Sequence, residues 1–299
     1  MGLVAAANFG YLLVPGLRKV FMDEFNQPGD ICPQLFSYEK SHKAVEYDLG
    51  IGGMNDLEEF NGTIPYNQDF QQQYRVSYTH KEYVGGIKVE RRLVDDDLYN
   101  IIEQRPKQLA VVAKRTREKH GASLFNNAFN TSVFVGGDSK ALCATNHTWV
   151  GISNTWSNYG TDSLSATALE ATRIKGMLLL DETNNLMDIQ YDTLLIPPNL
   201  QETANIIIKS DWRSGTANND MNWNKERYNI IVWNRLTDTN NWYLIDSKYM
   251  KMFLKWFDRI PVEFNKDKDF DTYVAKYSAY CRYSFGFSDA RWVFGQNVS

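Results

Sequence analysis

Apolar and polar positions recur with different periods along this chain, and the changes of period mark out its elements. Near the start, Leu12, Leu13, Leu17, Val20, Phe21 and Phe25 recur at helical spacing. Pro28, Gly29 and Pro33 then break the pattern. A short amphipathic helix followed by irregular chain reads as an arm that needs something else to pack against. Two alternating runs come next. Val45, Tyr47 and Leu49 alternate with Glu46 and Asp48. Tyr74, Val76 and Tyr78 alternate with Arg75, Ser77 and Thr79, and Ile87 and Val89 with Lys88 and Glu90. The stretch between the runs holds Gly50, Gly52, Gly53, Gly62 and Pro65. This predicts a long antiparallel hairpin with a loose tip. Two isolated strands are marginal in water, so the hairpin should lie on a neighbour; an ordinary core hairpin is the alternative.

Asp95, Asp96 and Asp97 open the strongest helical pattern, where acids suit the positive end of the helix dipole. Leu98, Ile101, Ile102, Leu109, Val112, Ala113 and Thr116 carry its apolar stripe. Pro106 cannot donate a ladder hydrogen bond. The expectation is therefore a short helix to about Gln104 and a long one with Pro106 in its first turn, ending at Gly121 or at Asn126 and Asn127. From Ser163 the pattern is mixed. Leu164, Ala168, Leu169 and Ile174 outline a helix, and Thr193 to Ile196 a buried strand stopped by Pro197 and Pro198. Asn199 with Glu202 resembles a capping box before a helix carrying Leu200, Ala204, Ile207 and Ile208. Tyr228 to Trp233 and Trp242 to Ile245 predict a second hairpin around Asn240 and Asn241. The last strand should turn Tyr277, Ala279, Cys281, Tyr283 and Phe285 to one side.

The 299 residues carry 32 basic and 36 acidic side chains, a net charge of −4 that argues against a dedicated nucleic-acid binder. Three separated cysteines, Cys32, Cys143 and Cys281, suggest free thiols in a reducing compartment. No run reaches the ~20 apolar residues of a membrane span, and the first residues lack a basic signal-peptide start.

Candidate chemistry is sparse. His42, His80, His120 and His147 form no HxxxH pair, and no P-loop, GxGxxG or GxSxG motif occurs. Asp267, Asp269 and Asp271 lack the glycine and final glutamate of a calcium loop, and fit a solvated connection better. The run Lys114 to Lys119 fits a solvated or salt-bridging helix face better than a DNA site. The eight tryptophans are dispersed, which favours core and interface use over a stacking platform.

Taken in order, these pieces resemble the major capsid proteins of tailed phages with the Hong Kong 97-type fold, akin to the Mu-type major head subunit. Leu12 to Phe25 resembles the N-terminal arm, Glu58 to Ile87 the extended loop, and Asp96 to Phe129 the spine helix with its lead-in. Leu142 to His147 is similar to the family's L-F-x-x-x-H stretch, with Cys143 in place of the aromatic. Leu164 to Ala171 followed by Leu194-Leu195-Ile196-Pro197-Pro198-Asn199-Leu200 is the most specific pair of matches, and Trp242 to Leu244 with Arg282 to Trp292 resemble the late elements. The resemblance implies an α+β fold with an arm (1–40), an extended β-hairpin loop (41–92), a peripheral domain (93–162 with 262–299, spine helix about 106–128) and an axial domain (163–261).

It also implies a non-enzymatic protein without cofactor or metal, which self-assembles as hexamers and pentamers into an icosahedral shell around double-stranded DNA. Scaffold, portal and decoration proteins are further expected partners, with no membrane. Synthesis in the host bacterial cytoplasm and residence in the virion follow. Leu17, Phe21, Phe25, Glu58, Phe60, Tyr66, Arg75, Tyr78, Arg115 and Arg117 are the expected intersubunit contacts. An encapsulin-like compartment shell shares the fold and is the first alternative. A carbohydrate-active enzyme with a carboxylate pair about 5–10 Å apart is the alternative from another class, and a tail or baseplate component is a third.

Overall fold

A computed structural model of the chain describes residues 9–53, 59, 62, 72–90, 101–212, 220–268 and 274–299. The aspartates expected to open the long helix lie outside these residues. The helix itself, α3 (Ile101–Asn126), follows two shorter ones, α1 (Phe9–Phe25) and α2 (Cys32–Leu35). Contrary to expectation, α3 runs unbroken through Pro106. The proline removes one ladder bond near the start, and packing of Leu109, Ala110 and the later turns outweighs that loss. Gly121 does not end the helix either. A Cβ there would lie 2.2 Å from Cys32 Sγ and 3.2 Å from the Phe36 ring, so the glycine lets α2 approach the helix.

The first sheet has the order β1-β11-β12-β4, formed by β1 (Ser37–Lys40), β11 (Leu254–Lys268), β12 (Val274–Phe287) and β4 (Lys81–Glu90). β1 is parallel to β11 and the other pairs are antiparallel. The expected alternation on β12 is present: Tyr277, Ala279, Cys281 and Tyr283 are buried, and Phe285 packs partly beside them. They share a core with α1 and α3. The predicted hairpin divides. β2 (Val45–Ile51) pairs with β3 (Gln72–Thr79), from Val45 opposite Thr79 to Ile51 opposite Gln72. The Ile87 and Val89 run instead belongs to β4 in the four-stranded sheet.

The second sheet has the order β7-β13-β10-β8-β9. Its strands are β7 (Tyr159–Gly160), β13 (Val293–Gln296), β10 (Trp242–Ile245), β8 (Thr193–Ile196) and β9 (Asn229–Val232). A further small ribbon, β5 (His147–Trp149) with β6 (Ile152–Trp156), lies apart from both. The expected hairpin of β9 and β10 does not form, because β8 lies between them. β8 and β9 are parallel, which requires a crossover, and α5 (Gln201–Lys209) supplies it. Asn199 does not cap α5. Pro197 leads into a tight turn at Pro198–Leu200, which places Leu200 at the cap position with no side-chain bond. The preceding helix, α4 (Ala166–Met177), is capped by Ser165 Oγ, which accepts from the Ala168 amide at 3.1 Å. Ile174, expected inside, is exposed.

β8, β10 and β13 are buried along their whole length, and this sheet is a wall between two cores. Leu195, Ile231, Tyr243, Ile245 and Val293 join the core of α3. Leu194, Ile196, Trp242, Leu244 and Phe294 join a second core with residues of α4 and α5. The two-residue period of a strand makes this division.

Candidate assembly surfaces

The residues expected at intersubunit contacts separate once the chain is folded. Leu17 and Phe21 are 3% and 0% exposed, and Phe21 lies 5.0 Å from the Phe264 ring. α1 therefore packs on its own subunit, correcting the expectation that this segment lacks a private partner; it shares a core with α3 and β11. Phe25 is half-buried and stacks on Phe21. Tyr78 is buried against Phe257, with ring centres 5.2 Å apart. Arg75 and Arg115 are exposed, and Arg75 lies 4.7 Å over the Tyr47 ring. Glu58, Phe60 and Tyr66 lie outside the described residues.

Arg117 is interior, so the basic run on α3 is not simply a solvated face. Its guanidinium donates to Asp258 Oδ2 at 3.0 Å and lies 5.0 Å over the Trp256 ring and 5.3 Å over Tyr283. Burial works against the Arg117 charge, and Asp258 outweighs it, raising the pKa further above its ordinary value. Trp256 Nε1 donates to the other Asp258 oxygen at 3.0 Å. The neighbouring Glu118 is also buried and accepts from the Cys32 amide at 2.9 Å and from Trp233 Nε1 at 3.1 Å. One carboxylate thus joins α2, α3 and the chain after β9. Hydrophobic periodicity gave no signal for this.

The β2–β3 ribbon shows what its two faces are for. Glu46, Asp48, Tyr74, Val76 and Tyr78 share one face; Tyr74 Oη lies 3.1 Å from Thr148 Oγ1, and Asp48 lies 3.6 Å from Lys255 Nζ. Past β2, the Gly53 amide donates to Glu182, which is itself held by Arg291 at 3.4 Å. Asp289 is the second partner of Arg291. A cleft of about 300 Å³ separates the ribbon from the body and includes Tyr74, Asp138, His147 and Arg291 in its lining. The opposite ribbon face presents Tyr47 and Leu49, both exposed, beside Arg75.

His80 and His147 are tied into the fold. His147 Nδ1 is 2.7 Å from Asp138 Oδ2, and Nε2 is 3.1 Å from Asn158 Oδ1. Burial raises the Asp138 pKa, but the bond and charge of His147 outweigh it and hold the carboxyl below its usual value. His80 lies between Ser41 Oγ at 3.0 Å and Ser284 Oγ at 2.9 Å, and burial lowers its pKa. Among the described residues no group of three His, Cys, Asp or Glu side chains could hold a metal ion, and no helix is long and apolar enough to cross a membrane. All three cysteines are free and buried, and burial pushes the Cys281 thiol up to about 11.

Residues 73–295 match the model of a family described as phage capsid protein. The chain belongs to that family. It is a major capsid protein, a shell-forming structural subunit with the Hong Kong 97-like α+β fold. No curated protein matches in sequence. The capsid of cyanophage P-SCSP1u superposes with a TM-score of 0.60 at 12% identity, over 91% of this chain and 89% of that one. The procapsid of bacteriophage JBD30 gives 0.55 at 13%, over 99% and 77%. The virus-like particle from Pyrococcus furiosus gives 0.56 at 9%, over 95% and 98%. At these identities the superpositions speak for the fold alone.

This capsid protein also exposes apolar side chains outside the expected contacts. Trp212, Met221, Trp223, Ile174, Met177 and Leu178 are all exposed on or near the α4 side of the second core. A cleft lined by Ala171, Ile174, Met221 and Trp223 opens between α4 and the segment before β9. The sequence does carry a signal here. Met221 and Trp223 stand among Asp220, Asn222 and Asn224, without apolar neighbours to make a local core.

Proposed function

We propose that this capsid protein assembles through hexamers and pentamers into the icosahedral shell that holds the double-stranded DNA of a tailed phage. It is made in the host cytoplasm and ends in the virion. Scaffold, portal and decoration proteins are the further partners this reading calls for. The observation that carries it is the phage capsid family match over 73–295, on a subunit with uncovered apolar side chains on its β2–β3 ribbon. Many modest contacts closed by symmetry suit such a shell, because association entropy and desolvation consume much of each contact's hydrophobic gain.

Within this reading, 1–40 is the arm, 41–92 the loop, 93–162 with 262–299 the peripheral domain and 163–261 the axial domain. The pairing of β4 with β12 supports moving 81–90 to the peripheral domain, and the span of β11 supports drawing its later boundary before Leu254. Phe25 and Arg75 remain our contact candidates, with Glu58, Phe60 and Tyr66 in the loop; Arg115 is no longer one, since it stands among exposed cations on α3. Deleting residues 55–68 should leave a folded subunit that does not form shells in negative-stain electron microscopy. Normal shells from that deletion would remove the loop from the assembly contacts; absence of shells from the intact protein, with or without scaffold, would refute the shell reading.

A further inference from the structure

We propose that the outward face of α3 is a contact site for the phosphate backbone of double-stranded nucleic acid. From Gln104 to Asn126 the exposed residues are Gln104, Arg105, Lys107, Gln108, Val111, Val112, Arg115 and Lys119. At about 100° per residue they fill one continuous arc of the helix, centred on Arg115. Every exposed charge in that arc is positive; Glu118 falls within it but is buried, accepting from the Cys32 amide and Trp233 Nε1. The other charged side chains of this stretch are engaged elsewhere: Lys114 pairs with Asp30, Arg117 with Asp258, and Glu118 is buried. The strip is not a by-product of a basic protein, because the chain as a whole carries −4.

Arg105 to Lys119 spans roughly 21 Å of helix axis. Duplex DNA presents one negative charge per ~1.7 Å of its axis, so cations on one rigid helix meet phosphates without any need for base reading. Gln104 and Gln108 add neutral hydrogen-bond donors suited to phosphate oxygens. The strip is a convex surface rather than a pocket, so the contact is weak, independent of sequence and sensitive to salt. This site deepens the shell reading, since a genome is what such a shell encloses. Few contacts per subunit, repeated over many copies, hold a polyanion without clamping it.

The test is fluorescence anisotropy of a duplex of about 30 base pairs with the purified subunit, between roughly 50 and 200 mM salt. For about four phosphate contacts the log–log salt slope should be about −3.6, a loss in affinity of order 10² across that range. The variant Arg105→Gln/Lys107→Gln/Arg115→Gln/Lys119→Gln should lose most of that slope, melt at the wild-type temperature and still form shells by electron microscopy. Arg105→Lys/Arg115→Lys should keep the slope, since charge and not fork geometry is at work. A quadruple variant with the wild-type slope, or an intact protein that does not bind the duplex, would overturn the proposal. So would a quadruple variant that melts normally but no longer assembles, which would assign the strip to acidic surface on another copy. Absence of shells from the intact protein is a separate result and bears on the shell reading alone.

Discussion

The core around α3 and the core behind the five-stranded sheet differ in how they are tied together. Trp233, Trp256 and Trp292 lie in the first, and each aims its ring N–H at an acceptor: Glu118, Asp258 and the Asp289 carbonyl. Tyr243 Oη donates to the Phe125 carbonyl in the same core. The second core is mainly aliphatic, with Leu164, Leu169, Ile189, Leu194, Ile196 and Ile208; its Trp242 donates to the Asp162 carbonyl, and the core closes around strand–helix–strand connections. The first core gathers segments more than 200 residues apart, from α1 to β12. Burial alone is non-directional. Aromatic side chains with a polar handle, and buried groups that accept their bonds, fix the register of such distant pieces.

That contrast can be broken by substitution. The largest effect is expected from Trp233→Ala, which removes a fully buried ring and leaves one Glu118 oxygen without its donor; about 4–5 kcal/mol should be lost. Leu194→Ala in the second core should cost about 3 kcal/mol, from lost burial and the cavity left behind, with no polar bond broken. Denaturant unfolding of both checks the order, and equal losses would argue that the polar tie adds nothing. Next, Glu118→Ala should cost about 2–3 kcal/mol by stranding two buried donors, and Glu118→Gln about half of that. If Gln and Ala are equally harmful, the charge rather than the hydrogen bonds is what α2 and Trp233 need.

Gly121→Ala sharpens the contact between α2 and α3. Helix propensity favours alanine by about 1 kcal/mol, but the methyl would meet Cys32 Sγ, and we expect a net loss of about 1–2 kcal/mol. Adding Cys32→Ala should turn that loss into a gain. The smallest effect concerns pH. Burial lowers the His80 pKa in the folded state, so the unfolded chain binds the proton more readily. Stability is then full above the ordinary histidine value and falls as pH drops from there through the folded value. Melting temperatures at about pH 7 and 5 should differ less in His80→Gln than in wild type.

Local pattern made several elements legible. Alternation identified the two strands of the β2–β3 ribbon and the inward face of β12, and helical spacing identified α1, α3 and α4. Their boundaries depended on partners. Pro106 and Gly121 look like helix ends in isolation, yet one is carried by packing and the other is a point of contact. The contact candidates were the least legible. Leu17, Phe21 and Tyr78 are apolar, and Arg117 lies in a basic run, but nothing in spacing says whether such side chains meet their own subunit or another.

By itself, the sequence determined which residues must leave water and with what period, and its short motifs carried the resemblance to phage capsid proteins. Only the tertiary structure decided where β8 goes. Inserted between β9 and β10, it turns an apparent hairpin into a wall with a core on each side. A strand's period fixes which of its side chains share a face, but the choice of neighbouring strand rests on contacts between distant segments. Those contacts exist only once the whole chain has folded.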